Sequence, residues 1–192
     1  MIESVLSAAR DAGLGPLIVV VGRGGDAVGE RVEASALAPD TVVLNRRFAE
    51  GIGGSAAAGV GAAMTTDVDA AAILLADEPG VHVDAIRRVV EHWNRVRLPA
   101  VRAVYSDRPG HPVVLSRSVF GLVAGLPPSA SVLAELVRAD REVGSVMLTS
   151  TAPIDVDTAQ DYERALRRSR PAPSELSETP RGDFALRGSP RR

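Results

Sequence analysis

The stretch Ala71-Ala-Ile-Leu-Leu-Ala-Asp77-Glu-Pro-Gly80 decides the fold, because an apolar run of strand length ends there abruptly in a carboxylate and a proline. A strand that is apolar on both faces is typical of a parallel sheet covered by helices on each side. Asp77 then leaves the sheet at the carboxyl end of its strand, which is the edge where open α/β sheets bind ligands. A carboxylate there suits a divalent cation such as Mg²⁺, shared with phosphate oxygens. The alternative is that Asp77 caps a helix starting at about residues 81–84.

Hydrophobic periodicity on both sides of this stretch predicts strands that alternate with helices. The predicted strands are residues 17–21, 41–44, 71–76, 100–105, 112–115 and 145–149, and the predicted helices include residues 2–12, 84–96, 116–123 and 130–139. This alternation predicts a doubly wound α/β domain, a three-layer α/β/α structure with a mostly parallel sheet, over residues 1–168. Residues 169–192 are rich in proline and charge, which predicts a disordered tail; the short Phe184-Ala-Leu-Arg run in it is either a docking motif or an idle terminus.

Composition excludes several classes of function. The 192 residues carry a net charge of −2 without charge blocks, so general attraction to nucleic acid or to an anionic membrane is not expected. The absence of cysteine excludes thiolate catalysis and cysteine metal sites, and it fits a cytoplasmic location. All 22 basic residues are arginine, so no mechanism that needs a lysine can be performed by this chain alone.

Two glycine-rich segments are candidates for phosphate binding. Gly51-Ile-Gly-Gly-Ser55 precedes a helix of small residues, where exposed backbone N–H groups could bind a phosphate or a nucleotide ribose. Equally, these small residues could simply let the helix lie close to the sheet. Gly22-Arg-Gly24-Gly-Asp-Ala27 loosely fits a dinucleotide fingerprint, but Leu44-Asn45 stands where that fingerprint requires an acid, so the dinucleotide interpretation is discounted.

Two further segments carry polar residues at predicted element boundaries. Arg108-Pro-Gly110-His111-Pro112 predicts a sharp turn ahead of a strand, and His111 there is either a substrate contact or a structural histidine. The segment from Ile154 to Tyr162 predicts a helix N-terminus in which Asp157 or Thr158 is the cap and Asp161 lies in the first turn. Capping explains these carboxylates without a metal.

In this order and spacing, the segments resemble the molybdenum cofactor cytidylyltransferase group of nucleotidyltransferases, which have the glycosyltransferase A fold. The resemblance extends over residues 2–168 and rests on Asn45 with Gly51, Ser55 and Gly59, then Leu75-Ala-Asp77-Glu-Pro79, Gly110-His111-Pro112-Val113 and Asp155-Val-Asp157-Thr158. It implies a Mg²⁺-dependent enzyme that transfers a nucleoside monophosphate from CTP or GTP to the phosphate of molybdopterin and releases pyrophosphate. The resemblance identifies the superfamily more specifically than it identifies the pterin substrate.

The resemblance also implies roles for individual residues. Asp77 would be the principal, catalytic Mg²⁺ ligand, with Asp157 as a second carboxylate. Asn45, Gly51 and Ser55 would lie on the nucleotide side. The acceptor side would be formed by Gly110, His111 and Pro112.

The chain departs from the family pattern at its start. Family members open with a central strand and a glycine-rich loop that carries an arginine and a lysine, and residue 1 corresponds to the helix after that loop. Without the strand, about ten backbone groups lose their partners, at roughly 1–3 kcal/mol for each that stays buried and unsatisfied. We expect one of three outcomes: the flanking strands 17–21 and 71–76 close up and pair, the true start lies upstream, or another chain supplies the strand.

Three functional hypotheses follow. The first is a cytidylyltransferase-like chain that, as written, releases little pyrophosphate because the triphosphate-binding loop is absent. The second is a non-catalytic protein that binds a cofactor or a maturing molybdoenzyme through the surface around His111. The third keeps the enzyme but replaces molybdopterin with a sugar phosphate or phospholactate.

Overall fold

The computed structural model describes residues 1–168, which form three layers with helices on both faces of the strands. The strands are β1 (Ile18–Val21), β2 (Thr41–Leu44), β3 (Ala70–Ile73), β4 (Ala100–Val104), β5 (Pro109–Ser116) and β6 (Val143–Met147). The helices are α1 (Ile2–Asp11), α2 (Gly25–Glu33), α3 (Ile52–Ala63), α4 (Val83–Val96), α5 (Phe120–Ala124), α6 (Val132–Arg138) and α7 (Ala159–Arg168). The predicted three-layer α/β class is confirmed. The predicted tail and its Phe184 motif lie outside the described residues.

The strands form two separate sheets, a parallel one of two strands and a mixed one of four strands. β1 pairs with β2 in parallel, and the other four strands follow the order β3-β5-β4-β6. β5 is antiparallel to both of its neighbours, whereas β4 and β6 are parallel. The expectation that the strand before Asp77 has parallel neighbours is therefore wrong. A tight turn connects β4 to β5, and in it the Tyr105 N–H donates to Arg108 O at 2.9 Å. β5 therefore lies antiparallel to β4, between β4 and β3.

One helical layer consists of α1, α2 and α4. The apolar face of α1 buries Leu6 and Ala9 against β1, while Val5 packs with Ile86 of α4. Gly13 follows α1 with φ 82°, the left-handed conformation that ends many helices and that glycine adopts without strain. This layer fixes where the N-terminal helix lies relative to both sheets.

The opposite layer consists of α3, α5 and α6. Val60 and Ala63 of α3 share a buried cluster with Leu115 of β5 and Phe120 of α5. The Arg117 guanidinium donates to the carbonyls of Met64, Thr66 and Val68, just beyond the last turn of α3. These bonds satisfy carbonyls left without helical partners and hold the end of α3 near the start of β3. Among the described helices, none combines the length and the apolar character needed to cross a membrane.

The two sheets are separated by a cleft that we call the β1–β3 cleft. Its sides are the edges of β1 and β3, and α1 and α3 cover it from opposite faces, with lining residues that include Leu6, Ile18, Gly59, Val60 and Ala72. Its volume is about 790 Å³, far larger than the water-sized voids of ordinary protein packing. The flanking strands therefore do not close up and pair within the described part of the chain.

Two glycines of α3 have different surroundings: Gly53 is tightly packed, whereas Gly61 is not. We therefore predict that alanine at these two positions has opposite effects on stability. A Cβ at Gly53 would lie 2.4 Å from Ala130 O, whereas a Cβ at Gly61 meets nothing within 4 Å. Gly53→Ala should lower the free energy of unfolding by about 2 kcal/mol, because backbone must move. Gly61→Ala should raise it by about 0.5–1 kcal/mol through helix propensity.

Urea denaturation followed by circular dichroism measures both changes. Equal effects of the two substitutions would contradict the close approach of residues 127–130 to α3.

Candidate active site

Asp77 lies at the rim of the β1–β3 cleft. The predicted strand 71–76 is wrong at its end: β3 ends at Ile73, and the next four residues carry the chain to the rim, where Asp77 is exposed and lines the cleft. Its backbone carbonyl accepts a hydrogen bond from Val156 N–H at 2.9 Å, which joins the segments that follow β3 and β6. α4 begins after His82, without a side-chain cap, so the alternative that Asp77 caps this helix is wrong. The Asp77 carboxylate has no hydrogen-bond or ion-pair partner among residues 1–168.

The predicted acceptor-side residues lie beside Asp77, but within a strand. Gly110, His111 and Pro112 belong to β5, so the predicted turn ahead of the strand is wrong; the turn lies at residues 105–108. Tyr105 Oη donates to His111 O at 2.7 Å, and a Cβ at Gly110 would lie 3.2 Å from the Tyr105 ring. Burial lowers the pKa of His111 despite the attraction of Asp77 and Asp155, so its imidazole is neutral at pH 7.

A buried carboxylate follows Asp77 directly. Glu78 is only 2% exposed, its Oε1 lies 3.8 Å from Arg108 Nη2, and its Oε2 is buried without a hydrogen-bond partner. Burial, together with a hydrogen bond to Asp155 and repulsion from it, raises the pKa of Glu78 to about 7. Arg108 also contacts Asp155 at 3.3 Å and donates to Pro153 O at 2.7 Å. Arg108, in the turn before β5, therefore links that turn to the segment that holds Glu78 and to the segment that holds Pro153 and Asp155.

The predicted nucleotide-side residues gather at the start of α3. Asn45 is 7% exposed, donates from Nδ2 to Ser55 Oγ at 3.1 Å and accepts from Arg47 N–H at 3.0 Å. Gly51 has φ 137° and approaches Pro128 O so closely that a Cβ would lie 2.4 Å from that oxygen. The Gly54 N–H is directed at Pro128 O at 3.3 Å. The glycines at the start of α3 thus allow close packing, chiefly against residues 127–130. Of the predicted nucleotide-side residues Asn45, Gly51 and Ser55, only Ser55 lines the cleft.

The segment after β6 forms a helix cap. Thr158 N–H and Oγ1 donate to Asp161 Oδ2 at 3.1 and 2.6 Å, and Asp161 N–H donates back to Thr158 Oγ1 at 3.2 Å. This reciprocal pair begins α7 and confirms Thr158 as the cap, with Asp161 in the first turn. Asp157 is exposed, and its neighbour Val156 is bonded to Asp77 O. No group of three or more potential ligands occurs among the described His, Asp and Glu side chains, so a cation here would need phosphate oxygens as well.

Sequence reasoning missed Arg102 and the Glu78–Arg108–Asp155 group. Arg102 of β4 lines the β1–β3 cleft, and its Nε is buried without a hydrogen-bond partner. A buried N–H donor without a partner costs free energy unless an anion or water accepts from it. The interruption of the apolar pattern Ala100-Val101-Arg102-Ala103-Val104 by one arginine was the available signal.

Together, these features define a class: a three-layer α/β domain of the NTP transferase type, with a carboxylate at the rim of its cleft. The chain belongs to the family of MobA-like NTP transferase domains, which matches residues 1–143. The resemblance seen in the sequence is confirmed at this level. No curated protein matches the chain significantly.

Solved structures agree with this assignment. The chain is similar to Rv0371c of Mycobacterium tuberculosis H37Rv, solved in complex with manganese, at 27% identity and a TM-score of 0.67 over 86% of each chain. It shares its fold with a nucleotidyl transferase of Methanothermobacter thermautotrophicus, at 19% identity and a TM-score of 0.66 over 87% of this chain and 81% of that one. The 2-C-methyl-D-erythritol 4-phosphate cytidylyltransferase of Thermus thermophilus has 19% identity and a TM-score of 0.60, over 86% of this chain and 88% of that one.

The raised pKa of Glu78 predicts a pH-dependent stability. The folded state holds a proton up to about pH 7 that the unfolded chain releases near pH 4.5, so stability falls as the pH rises through this window. Glu78→Gln removes the buried charge, and it should raise the free energy of unfolding at pH 8 by roughly 1–2 kcal/mol and change it little at pH 4.5. The matched control is Glu91→Gln on an exposed position of α4.

Urea titrations at the two pH values measure this difference. A stabilisation by Glu78→Gln that is the same at both pH values would contradict the assigned titration.

Proposed function

We propose that the chain acts in the transfer of a nucleoside monophosphate from CTP or GTP to the phosphate of a molybdopterin-like acceptor, with release of pyrophosphate. The observation that carries this proposal is the position of Asp77, whose free carboxylate lies at the cleft rim with Ser55 and His111 lining the same cleft. The family and its nucleotidyltransferase-type fold support the reaction class. The choice of acceptor rests on the sequence resemblance alone.

The donor set suits Mg²⁺ held mainly by substrate. Asp77 supplies an unpaired, exposed carboxylate, and Asp157 adds a second one in the segment tied to it by the Val156–Asp77 hydrogen bond. Mg²⁺ binds through one or two carboxylates plus phosphate oxygens and keeps several waters. When bound, it would neutralise the negative charge of the α-phosphate and of the departing pyrophosphate.

The remaining residues orient the two substrates. On the nucleotide side, the Asn45–Ser55 hydrogen bond holds the Ser55 hydroxyl at the start of α3, and Gly51 lets residues 127–130 pack closely against this helix end. On the acceptor side, Gly110, His111 and Pro112 form the wall of β5 next to Asp77, and neutral His111 can donate a hydrogen bond to a phosphate oxygen. An acceptor phosphate oxygen then bonds to the α-phosphorus as the bond to the pyrophosphate oxygen breaks.

Metal-dependent nucleotide binding should depend on Asp77. Asp77→Ala is expected to weaken the affinity for CTP or GTP in Mg²⁺ at least about tenfold, the loss of one charge-assisted contact. Asp67→Asn is the matched control, because Asp67 is an exposed aspartate just before the opposite end of β3. Isothermal titration calorimetry with and without Mg²⁺ measures the change. Equal affinity of Asp77→Ala and the native chain would exclude Asp77 as the metal ligand.

Arg102 is expected to contribute to anion binding from within the cleft. Its buried, unpartnered Nε can donate to an acceptor phosphate, so Arg102→Gln should weaken binding of a phosphorylated pterin about tenfold or more. Arg88→Gln is the control, because Arg88 is an exposed arginine of α4 that does not line the cleft. Fluorescence titration with the pterin follows the change, and equal binding by Arg102→Gln and the native chain would remove Arg102 from the site.

A second candidate function is a non-catalytic protein that binds a cofactor or a molybdoenzyme through the acceptor side. It is favoured by the start of α3, where the Gly54 N–H is directed at Pro128 O and so is not free for a nucleotide phosphate, whereas Gly110 and His111 of β5 line the cleft. It predicts pterin binding without affinity for Mg²⁺–CTP, and recovery of a molybdoenzyme subunit in a pull-down. Equal affinity for Mg²⁺–CTP would contradict it. An acceptor screen with sugar phosphates and phospholactate distinguishes the third hypothesis.

A further inference from the structure

A second groove, which we call the α4–β6 groove, lies between helix α4 and the last strand of the four-stranded sheet. Arg88, Glu91, His92 and Arg95 of α4 line it together with residues 145–147 of β6, and its volume is about 350 Å³. None of these residues lines the β1–β3 cleft. The proposed function therefore does not account for this groove.

One wall of the groove is an unpaired strand edge. β6 pairs in parallel with β4, and within residues 1–168 no strand pairs with its other edge. Leu148 N–H donates to Val104 O of β4 at 2.8 Å. Because alternate residues of a strand direct their backbone groups to the same neighbour, Val146 also faces β4. The N–H and C=O groups of Ser145 and Met147 therefore face outward.

The other wall is cationic. Arg88, His92 and Arg95 recur at helical spacing, which places them on one side of α4. Arg88 Nη2 donates to Met147 O at 3.4 Å, at the long limit for a hydrogen bond, and Arg95 Nη2 lies 3.5 Å from His92 Nδ1. Both arginines are exposed, and neither has an ion-pair partner within the described part of the chain. Glu91 is the only acidic residue that lines the groove.

The two faces of the β6 edge differ in chemistry. Val146 packs with Val89 and Trp93 of α4, so its side chain lies on the face that α4 covers. Side chains alternate along a strand, so the Met147 side chain lies on the opposite face, where it is 66% exposed. A strand added beside β6 would meet arginines on one face and an apolar side chain on the other.

We propose that the α4–β6 groove binds an extended segment of a partner polypeptide in which acidic and apolar residues alternate. The segment hydrogen-bonds to Ser145 and Met147 as an added strand, its carboxylates pair with Arg88 and Arg95, and its apolar side chains cover that of Met147. Alternate side chains of a strand lie about 7 Å apart. Residues 88 and 95 are separated by about 10 Å along the helix axis, so two such acids can reach both guanidinium groups.

A second copy of this chain is a poorer occupant of the groove. Antiparallel pairing of two β6 edges about a two-fold axis would put both copies of α4 on the same face of the joined sheet. Arg88 and Arg95 of one copy would then face the same arginines of the other, and like charges repel. Charged side chains at an exposed edge are a common means of preventing such pairing. An acidic strand supplies the opposite charge instead.

The experiment uses the isotope-labelled 192-residue protein and synthetic peptides. The first peptide has a core of about five residues in which glutamate and valine alternate. The second has the same side chains but is N-methylated throughout the core, so it retains the charge and loses the N–H donors. The third carries glutamine in place of glutamate, so it can pair as a strand without the charge. Amide hydrogen exchange, read by NMR, reports each backbone group of β6 separately.

The expected result is an alternating pattern of protection along β6. The amides of Ser145 and Met147 should exchange fast in the free protein, and about 100-fold more slowly at a glutamate peptide concentration about 100 times its dissociation constant. The amides of Val146 and Leu148, which bond to β4, should be protected throughout. The N-methylated peptide should give no such protection, and the glutamine peptide should bind at least about tenfold more weakly.

Substitutions on α4 test the role of charge from the side of the protein. The double variant Arg88→Gln, Arg95→Gln should weaken binding of the glutamate peptide about tenfold or more. Glu91→Gln removes the negative charge of the groove and should strengthen binding about twofold. Arg31→Gln in α2 is the control, because Arg31 is exposed and does not line the groove. Isothermal titration calorimetry measures these changes.

Several results would overturn the proposal. Failure of the glutamate peptide to bind would show that the arginines only prevent edge-to-edge pairing. Equal binding of the N-methylated peptide would identify a general anion site, such as one for nucleic acid, and equal binding of the glutamine peptide would exclude a role for charge. Protection of Ser145 and Met147 in the free protein would make the occupant a second copy if it grows with protein concentration, and a segment of the same chain if it does not. None of these measurements involves nucleotide, so the test is separate from that of the proposed function.

Discussion

The hydrogen bonds of β5 to both β3 and β4 are the interaction on which the candidate site depends. β5 runs antiparallel to each neighbour and so places His111 beside the segment that follows β3 and leads to Asp77. The turn before β5 also carries Arg108, whose guanidinium reaches Glu78 and Asp155 from two other segments. Backbone bonds hold residues 113–116 of β5 to β3 and residues 113–115 to β4, whereas His111 and Pro112 lie at the register shift between β5 and β4.

The β1–β3 cleft divides the site into two halves of different character. The half formed by β5, Asp77 and Arg108 is connected by backbone hydrogen bonds and by ion pairs, whereas the half formed by Asn45 and Ser55 belongs to the separate β1–β2 sheet and to α3. The halves touch mainly through α1 and α3, which pack on both sheets.

Much of the architecture was predictable because its signals are local. The apolar run before Asp77, the helical periodicity of residues 84–96 and the Thr158–Asp161 cap depend on neighbouring residues in the chain, and the structure confirms each. The direction of β5 and the position of its turn were not predictable from the proline and glycine at 109–110, because hairpin register depends on pairing with β4. The sequence alone did not distinguish phosphate binding from close packing as the role of Gly51. The contact with Pro128, which comes from a distant part of the chain, favours packing.

By itself, the sequence determined the element types, the lack of lysine and thiol chemistry, the family and the presence of a carboxylate shortly after the decisive strand. Only the tertiary structure decided which residues are neighbours: the buried Glu78 with its raised pKa, the unpartnered Arg102 Nε and the open edges of β1 and β3. The physical reason is that secondary structure follows from interactions within a few residues, whereas desolvation and hydrogen-bond satisfaction depend on groups brought together from distant parts of the chain.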